Sequence, residues 1–140
     1  MIILDTNVLS ALMRPRPDAD VIRWLNNQPR ISLWTTSVTI FEIEYGLQTM
    51  PAGKRQTAMA ASFQSWLEDV VQGRIANYDS AAAVCMAELA AARKKRGRPG
   101  ELRDTMIAGI VLASHAKLAT RNVKHFEDIA RSVVNPWGQS

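Results

Sequence analysis

The segment Ile2-Ile3-Leu4-Asp5-Thr6-Asn7 passes from three apolar residues to three polar residues of the kind that begin helices. A short apolar run bounded in this way is typical of a buried strand, and the polar triplet is typical of a helix N-terminus. We therefore predict a strand that turns directly into a helix, with Asp5 at the junction.

The same alternation continues along the chain. Further strands are predicted at residues 31–36, 75–78, 117–120 and 132–134. Helical patterns lie between them, among them one with Ser37 as its N-cap, a long one over residues 54–72 closed by Gly73, and one over 101–115. Short apolar strands alternating with helices predict an α/β fold with a parallel sheet covered on both faces. With 140 residues and no linker, we predict a single domain over residues 1–140.

Composition limits the possible classes of protein. The formal net charge of +4 slightly favours polyanionic partners. The single cysteine, Cys85, cannot form an internal disulfide and is predicted to be a small core residue. The N-terminus lacks the basic start of a signal peptide, and the longest apolar stretch, residues 106–113, is too short to span a bilayer. These features predict a cytoplasmic protein with no membrane association.

Polar side chains follow the predicted strands at their carboxyl ends, where open α/β sheets place their functional crevice. They are Asp5 and Thr6 after the first strand, Ser37 and Glu42 after the second, and Thr120, Arg121 and Asn122 after the fourth. Asp104 begins the apolar helix. Grouped carboxylates repel one another unless a cation such as Mg²⁺ compensates them. Taken singly, each acid has a simpler interpretation as a helix cap, a partner of a helix dipole or a solvated side chain.

Four blocks of sequence, in order, resemble the PIN-domain family. They are residues 3–7, residues 36–42 with Gly46 one turn on, residues 103–108, and residues 118–122 with Phe126. The terminal Asn135-Pro136-Trp137 is similar to the FitB branch of the VapC-type toxins. Four blocks in order are far more specific than one Asp-Thr-Asn triplet, and they favour the metal interpretation of the acids.

The resemblance implies a three-layer α/β/α sandwich with a mostly parallel five-stranded sheet. It implies an acidic cleft that cleaves RNA with Mg²⁺ or Mn²⁺, in which Asp5 and Asp104 bind the metal directly and Glu42 holds the metal or its water. Many family members carry a fourth acid where this chain has Asn122. A neutral oxygen can still orient water, but a tightly held second metal is not implied, and Glu127 or Asp128 is a possible substitute.

Several other residues are candidates for supporting roles. Thr6, Ser37 and Thr120 can add hydrogen bonds in the cleft, although each can equally be a helix cap. The basic run over residues 93–98 either complements a helix C-terminus on a solvated face or contacts RNA phosphates. Arg103, Arg121 and Arg98 are the candidate contacts with RNA or with a protein partner. His115 and His125 are predicted to be structural, and the four tryptophans are predicted to lie in the core or in interfaces.

Partners are implied by the resemblance alone. It implies a homodimer and a small VapB- or FitA-like antitoxin that inserts a segment into the cleft. It also implies that the complex binds operator DNA through the antitoxin.

Two functions other than that of a nuclease match part of the sequence pattern. Phosphatases with an aspartate nucleophile need a second acid two residues after the first, where this chain has Asn7, and are rejected on that ground. A catalytically inactive PIN-like module that only binds nucleic acid or an antitoxin stays open, because Asn122 replaces the usual fourth acid.

Overall fold

A computed structural model of the chain describes residues 1–138. It contains a five-stranded sheet in which every neighbouring pair of strands is parallel, in the order β3-β2-β1-β4-β5. The strands are β1 (Ile2–Leu4), β2 (Leu33–Thr36), β3 (Ile75–Ala76), β4 (Lys117–Ala119) and β5 (Val133–Val134). The predicted α/β architecture is confirmed.

Within residues 1–138, six α-helices connect or flank these strands. They are α1 (Thr6–Leu12), α2 (Ala19–Asn26), α3 (Ser37–Thr49), α4 (Lys54–Ser65), α5 (Ser80–Lys95) and α6 (Leu102–Ser114). A 3₁₀ segment (Val123–Ser132) joins β4 to β5. None of the helices within residues 1–138 combines the length and the apolar character that crossing a bilayer requires.

Alternate residues of the central strands point to opposite faces of the sheet, as the twofold period of a strand requires. Ile3 and Leu118 belong to a buried cluster with α6 on one face. Leu4 and Ala119 belong to a second cluster, with α1 and α2, on the other face. Helices therefore cover both faces, and the carboxyl ends of β1, β2 and β4 meet at one edge of the sheet, where a functional crevice is expected.

Three local predictions needed correction. The second strand begins at Leu33, because Arg30–Ser32 forms a 3₁₀ turn. The predicted helix over residues 54–72 changes at Ser65 into a π-helical segment, Trp66–Val71. Gln72, and not Gly73, is its left-handed C-cap, with φ of 53° and its N–H donated to Leu67 O at 2.8 Å.

Close packing of α5 on α6 sets the position of the N-terminus of α6. A Cβ added to Gly109 would lie 2.6 Å from the carbonyl oxygen of Ala82 and 2.9 Å from Cβ of Met86. Only glycine at position 109 leaves room for α5 to pack this closely against α6. The first turn of α6, with Asp104, is thereby held beside the carboxyl ends of β1 and β4.

Candidate active site

Asp5 lies at the carboxyl end of the central strand, with only 3 % of its surface exposed. Its N–H extends the strand ladder to Ala119 O at 2.9 Å, and its Oδ1 accepts the N–H of Thr6 at 2.8 Å as the N-cap of α1. Its Oδ2 accepts the hydroxyl of Thr120 at 2.8 Å. Both carboxylate oxygens are therefore fixed by donors from the ends of two adjacent strands.

Thr6 links Asp5 to Glu42. Its hydroxyl donates to Glu42 Oε1 at 2.9 Å. Of the two consecutive residues after β1, Asp5 therefore carries one carboxylate and Thr6 binds another. The guanidinium of Arg103 lies 3.9 Å from Glu42 Oε2. These contacts hold the Glu42 side chain of α3 against the same crevice as Asp5.

Asp104 reaches the crevice from the first turn of α6. Its Oδ2 lies 2.9 Å from Nδ1 of His125, a residue of the 3₁₀ segment after β4. Asp5, Glu42 and Asp104 together are called the acidic centre below.

Burial, more than any other factor, raises the pKa of Asp5 to about 6, against the opposing effect of hydrogen bonds from Thr120 and Thr6. The negative charges of Asp104 and Glu42 raise the pKa of Asp5 further. Burial likewise raises the pKa of Glu42, and Asp104 adds to that rise, while the contacts with Thr6 and Arg103 oppose it. The three carboxylates are thus close enough to repel one another.

The chemistry of this donor set fits a hard divalent cation. Carboxylate oxygens are the ligands that Mg²⁺ and Mn²⁺ prefer, and a cation reverses the repulsion among them. Within residues 1–138, no three acidic, histidine or cysteine side chains already surround one point closely enough to hold an ion. One or two carboxylates with water ligands are enough for Mg²⁺, so the donor set still fits such an ion.

Comparison with known proteins identifies the fold family. The PIN-domain family model matches residues 2–132. The chain belongs to the PIN-domain family. The chain is also 35 % identical to the plasmid stability protein StbB of Pseudomonas syringae pv. tomato, over 98 % of this chain and 99 % of that protein.

Two further matches are a ribonuclease and a structure of a protein bound to DNA. The VapC ribonuclease Y4jK of Sinorhizobium fredii is 34 % identical, with 98 % of each chain covered. The structure of FitAB bound to the IR36 DNA fragment has a TM-score of 0.89 and 27 % identity, covering 100 % of this chain and 98 % of that chain. The predicted membership in the VapC group is confirmed, and the chain is similar to the FitAB structure.

Some predicted supporting residues of the PIN domain have other roles. Thr36, and not Ser37, caps α3 by accepting the N–H of Thr39 at 3.0 Å. The Ser37 hydroxyl instead accepts the N–H of Tyr78 at 3.0 Å, which ties the ends of β2 and β3 together. Thr120 is fully buried and also accepts the backbone N–H of Asn122 at 3.1 Å. Asn122 itself is exposed.

One prediction for the basic run over residues 93–98 is wrong. Arg93 is 4 % exposed and donates from Nε and Nη2 to Asp128 at 2.8 and 2.9 Å, so it lies neither on a solvated face nor within reach of RNA. Asp128 is also bound by Arg96, and Glu127 is bound by Arg98. Neither Asp128 nor Glu127 therefore replaces the missing fourth acid at the acidic centre.

Two side chains beside the acidic centre are not among the predicted site residues. His125 contacts Asp104, although its sequence position suggests only a structural role. The amide nitrogen of Asn7 donates to Asp5 Oδ2 at 3.3 Å and to Thr120 Oγ1 at 3.1 Å. The Asp-Thr-Asn triplet was the available clue for Asn7, but it indicated a helix start and not a bridge between two strand ends.

Proposed function

We propose that this chain is a metal-dependent endoribonuclease and the toxin component of a type II toxin–antitoxin system. The observation that carries the proposal is the acidic centre, where buried Asp5 lies within electrostatic reach of Glu42 and Asp104 at the carboxyl end of the sheet. The name of the relative Y4jK, a VapC ribonuclease, supports RNA as the substrate class.

The proposed cofactor is Mg²⁺ or Mn²⁺, held by Asp5 and Asp104, with Glu42 binding the ion or its water. When bound, such an ion stabilises negative charge on the phosphate and lowers the pKa of a coordinated water. Asp5 suits the role of fixed ligand, because Thr6 and Thr120 already orient its carboxylate. Asn122 adds no charge, which favours one tightly bound ion over two.

The proposed reaction is in-line hydrolysis of an RNA phosphodiester. The oxygen of a water molecule forms a bond to phosphorus, the bond from phosphorus to the leaving sugar oxygen breaks, and that oxygen takes up a proton from solvent. Glu42 or Asp104 orients the attacking water and accepts its proton. Thr6 positions Glu42 through their 2.9 Å hydrogen bond, and Arg103 lies where it can contact the substrate.

The proposed partners follow from the relatives. An antitoxin of the VapB or FitA type would bind this chain, and the complex would bind operator DNA, as the DNA-bound FitAB structure illustrates for that complex. A homodimer and a cytoplasmic location complete the proposal. A basic antitoxin side chain at the acidic centre would inhibit the enzyme, because it would occupy the position of the metal charge.

RNA cleavage tests the proposal against the alternative of an inactive binding module. We expect the purified chain to cleave single-stranded RNA in the presence of Mg²⁺ or Mn²⁺, and we expect EDTA to abolish this cleavage. Asp104→Asn should weaken Mn²⁺ binding in calorimetry at least tenfold and slow cleavage, because one negative ligand is lost. Asp20→Asn, at an exposed position on α2, is the matched control and should match the wild type.

The outcomes separate the two functions. RNA binding without cleavage in either metal would favour the inactive module. Equal cleavage by wild type and Asp104→Asn would point to a contaminating nuclease, and equal Mn²⁺ affinity would remove Asp104 from the metal ligands.

A further inference from the structure

A cavity of about 360 Å³ lies beside the acidic centre, between the end of α1, the loop into α2 and the chain that follows β4. Its lining includes Asn7, Arg14, Arg16, Asp18, Arg121 and Trp137. It is called the arginine cavity below. None of these residues is among the acids of the acidic centre.

The arginine cavity carries uncompensated positive charge. Among residues 1–138, no carboxylate lies within 4.0 Å of the guanidinium of Arg14, Arg16 or Arg121. The one acid in the lining, Asp18, caps α2 by accepting the N–H groups of Asp20 and Val21. The cavity therefore has three arginine side chains and one carboxylate, and that carboxylate already accepts hydrogen bonds from the N-terminus of α2.

A second basic cavity shows the contrast. The larger cavity around Arg93, Arg96 and Arg98, of about 590 Å³, has its arginines paired with Asp128 and Glu127. An anion that binds these three arginines would compete with the two carboxylates. An anion entering the arginine cavity meets no such competitor.

Asn7 connects the arginine cavity to the acidic centre. Its Oδ1 accepts the N–H of Arg121 at 3.1 Å, and its Nδ2 donates to Asp5 Oδ2 at 3.3 Å. One side chain thus lines the cavity and touches the proposed metal ligand. The backbone of Arg121 is therefore tied to Asp5 through one side chain.

Trp137 orders Arg121. The guanidinium carbon lies 5.0 Å from the centroid of the indole ring, within the range of a cation–π contact. Stacking fixes the plane of the guanidinium and leaves its N–H edge free for an anion. Ordering before binding reduces the entropy lost when an anion is captured.

We infer that the arginine cavity binds a backbone phosphate of single-stranded RNA next to the phosphate that is cleaved. This inference rests on the proposed function. Three grouped carboxylates repel an RNA strand, so the strand needs cationic contacts on at least one side of the cleavage position. The arginine cavity supplies them adjacent to Asp5.

The test measures binding in EDTA, where no cleavage occurs. A fluorescently labelled single-stranded RNA is titrated by anisotropy over a series of salt concentrations. The cavity variant is Arg14→Gln/Arg16→Gln/Arg121→Gln. The control variant, Arg23→Gln/Arg55→Gln/Arg131→Gln, removes the same charge from exposed arginines outside the cavity.

We expect the cavity variant to bind RNA at least tenfold more weakly than the wild type at low salt. Its plot of log affinity against log salt concentration should be shallower by about 0.7, since one lost phosphate contact on a single strand contributes about that much. The control should keep the wild-type slope. Equal losses in the two variants, or none in the cavity variant, would overturn the inference, even if the cavity then bound an acidic peptide such as polyglutamate.

Cleavage in Mn²⁺ separates this inference from the proposed function. A cavity variant that cleaves RNA with a raised KM, while the control does not, supports the inference. A wild type that cleaves RNA and a cavity variant with the same KM would overturn it. A wild type that binds RNA with the expected salt dependence but never cleaves would overturn the nuclease proposal and leave the cavity as an RNA-binding site.

Discussion

Replacing Asp5 by asparagine is expected to reduce RNA cleavage at least a hundredfold and, at the same time, to stabilise the metal-free protein. The loss of activity follows from the proposed role of Asp5 as a metal ligand. A metal ion supplies several kcal/mol of transition-state stabilisation, and each 1.4 kcal/mol or so is a factor of ten in rate.

The gain in stability follows from the pKa of Asp5. Burial raises this pKa from an ordinary 3.8 to about 6 in the folded protein. The folded state therefore binds the proton more tightly than the unfolded state, and this advantage, complete below pH 4, is lost as the pH rises through 6. At about 1.4 kcal/mol for each pKa unit, ionised Asp5 costs about 3 kcal/mol at neutral pH.

Urea denaturation in EDTA measures this effect. We expect Asp5→Asn to be more stable than the wild type at pH 8, by up to about 3 kcal/mol, and the difference to shrink towards pH 4. Asp69→Asn, at an exposed position, is the control and should change stability little at either pH. If Asp5→Asn is less stable than the wild type at pH 8, burial of the ionised Asp5 carboxylate does not destabilise the folded protein.

Asp128→Asn is expected to cost about 3 kcal/mol or more of stability. Arg93, 4 % exposed, donates two hydrogen bonds to Asp128, itself 11 % exposed, and removing one partner of a buried pair leaves an uncompensated charge. The contact with Arg93 holds the pKa of Asp128 below its ordinary value. Asp128 therefore contributes stability above pH 4, and this contribution is lost as the pH falls through the lowered pKa.

Glu127→Gln is the matched control, because its neighbouring ion pair with Arg98 is exposed on both sides. An exposed pair contributes about 1 kcal/mol at most. Urea denaturation at pH 7 should separate the two variants clearly. Similar small losses for both would show that the Arg93–Asp128 pair is not a structural anchor of the 3₁₀ segment.

Local patterns in the sequence predicted the sheet and the elements that carry the acids. The strand of Ile2–Leu4 and the helix after it were evident because an apolar run ends in capping residues, and Asp5 does cap α1. The same reasoning placed Glu42 one helical turn after the second strand and Asp104 in the first turn of a helix, and the family resemblance placed both in the cleft. Their mutual electrostatic contact depends on strand order, which follows from tertiary packing.

Other features depend on contacts between distant parts of the chain. Arg93 looks like a solvated cation at the end of α5 until Asp128 of a later segment packs against it. His125 reaches the acidic centre, and Asn7 reaches Thr120, only because β4 lies beside β1. The π-helical segment at Trp66–Val71 has an ordinary helical pattern in the sequence, so its hydrogen bonding was not predictable.

Anomalous X-ray diffraction from crystals grown with Mn²⁺ would test most directly whether Asp5, Glu42 and Asp104 share a divalent ion. We predict an anomalous peak about 2 Å from carboxylate oxygens of Asp5 and Asp104, with Glu42 bound to the ion or to its water. A protein that cleaves RNA in Mn²⁺, but whose crystals show the peak at other side chains or no peak at these three, would contradict the proposed centre.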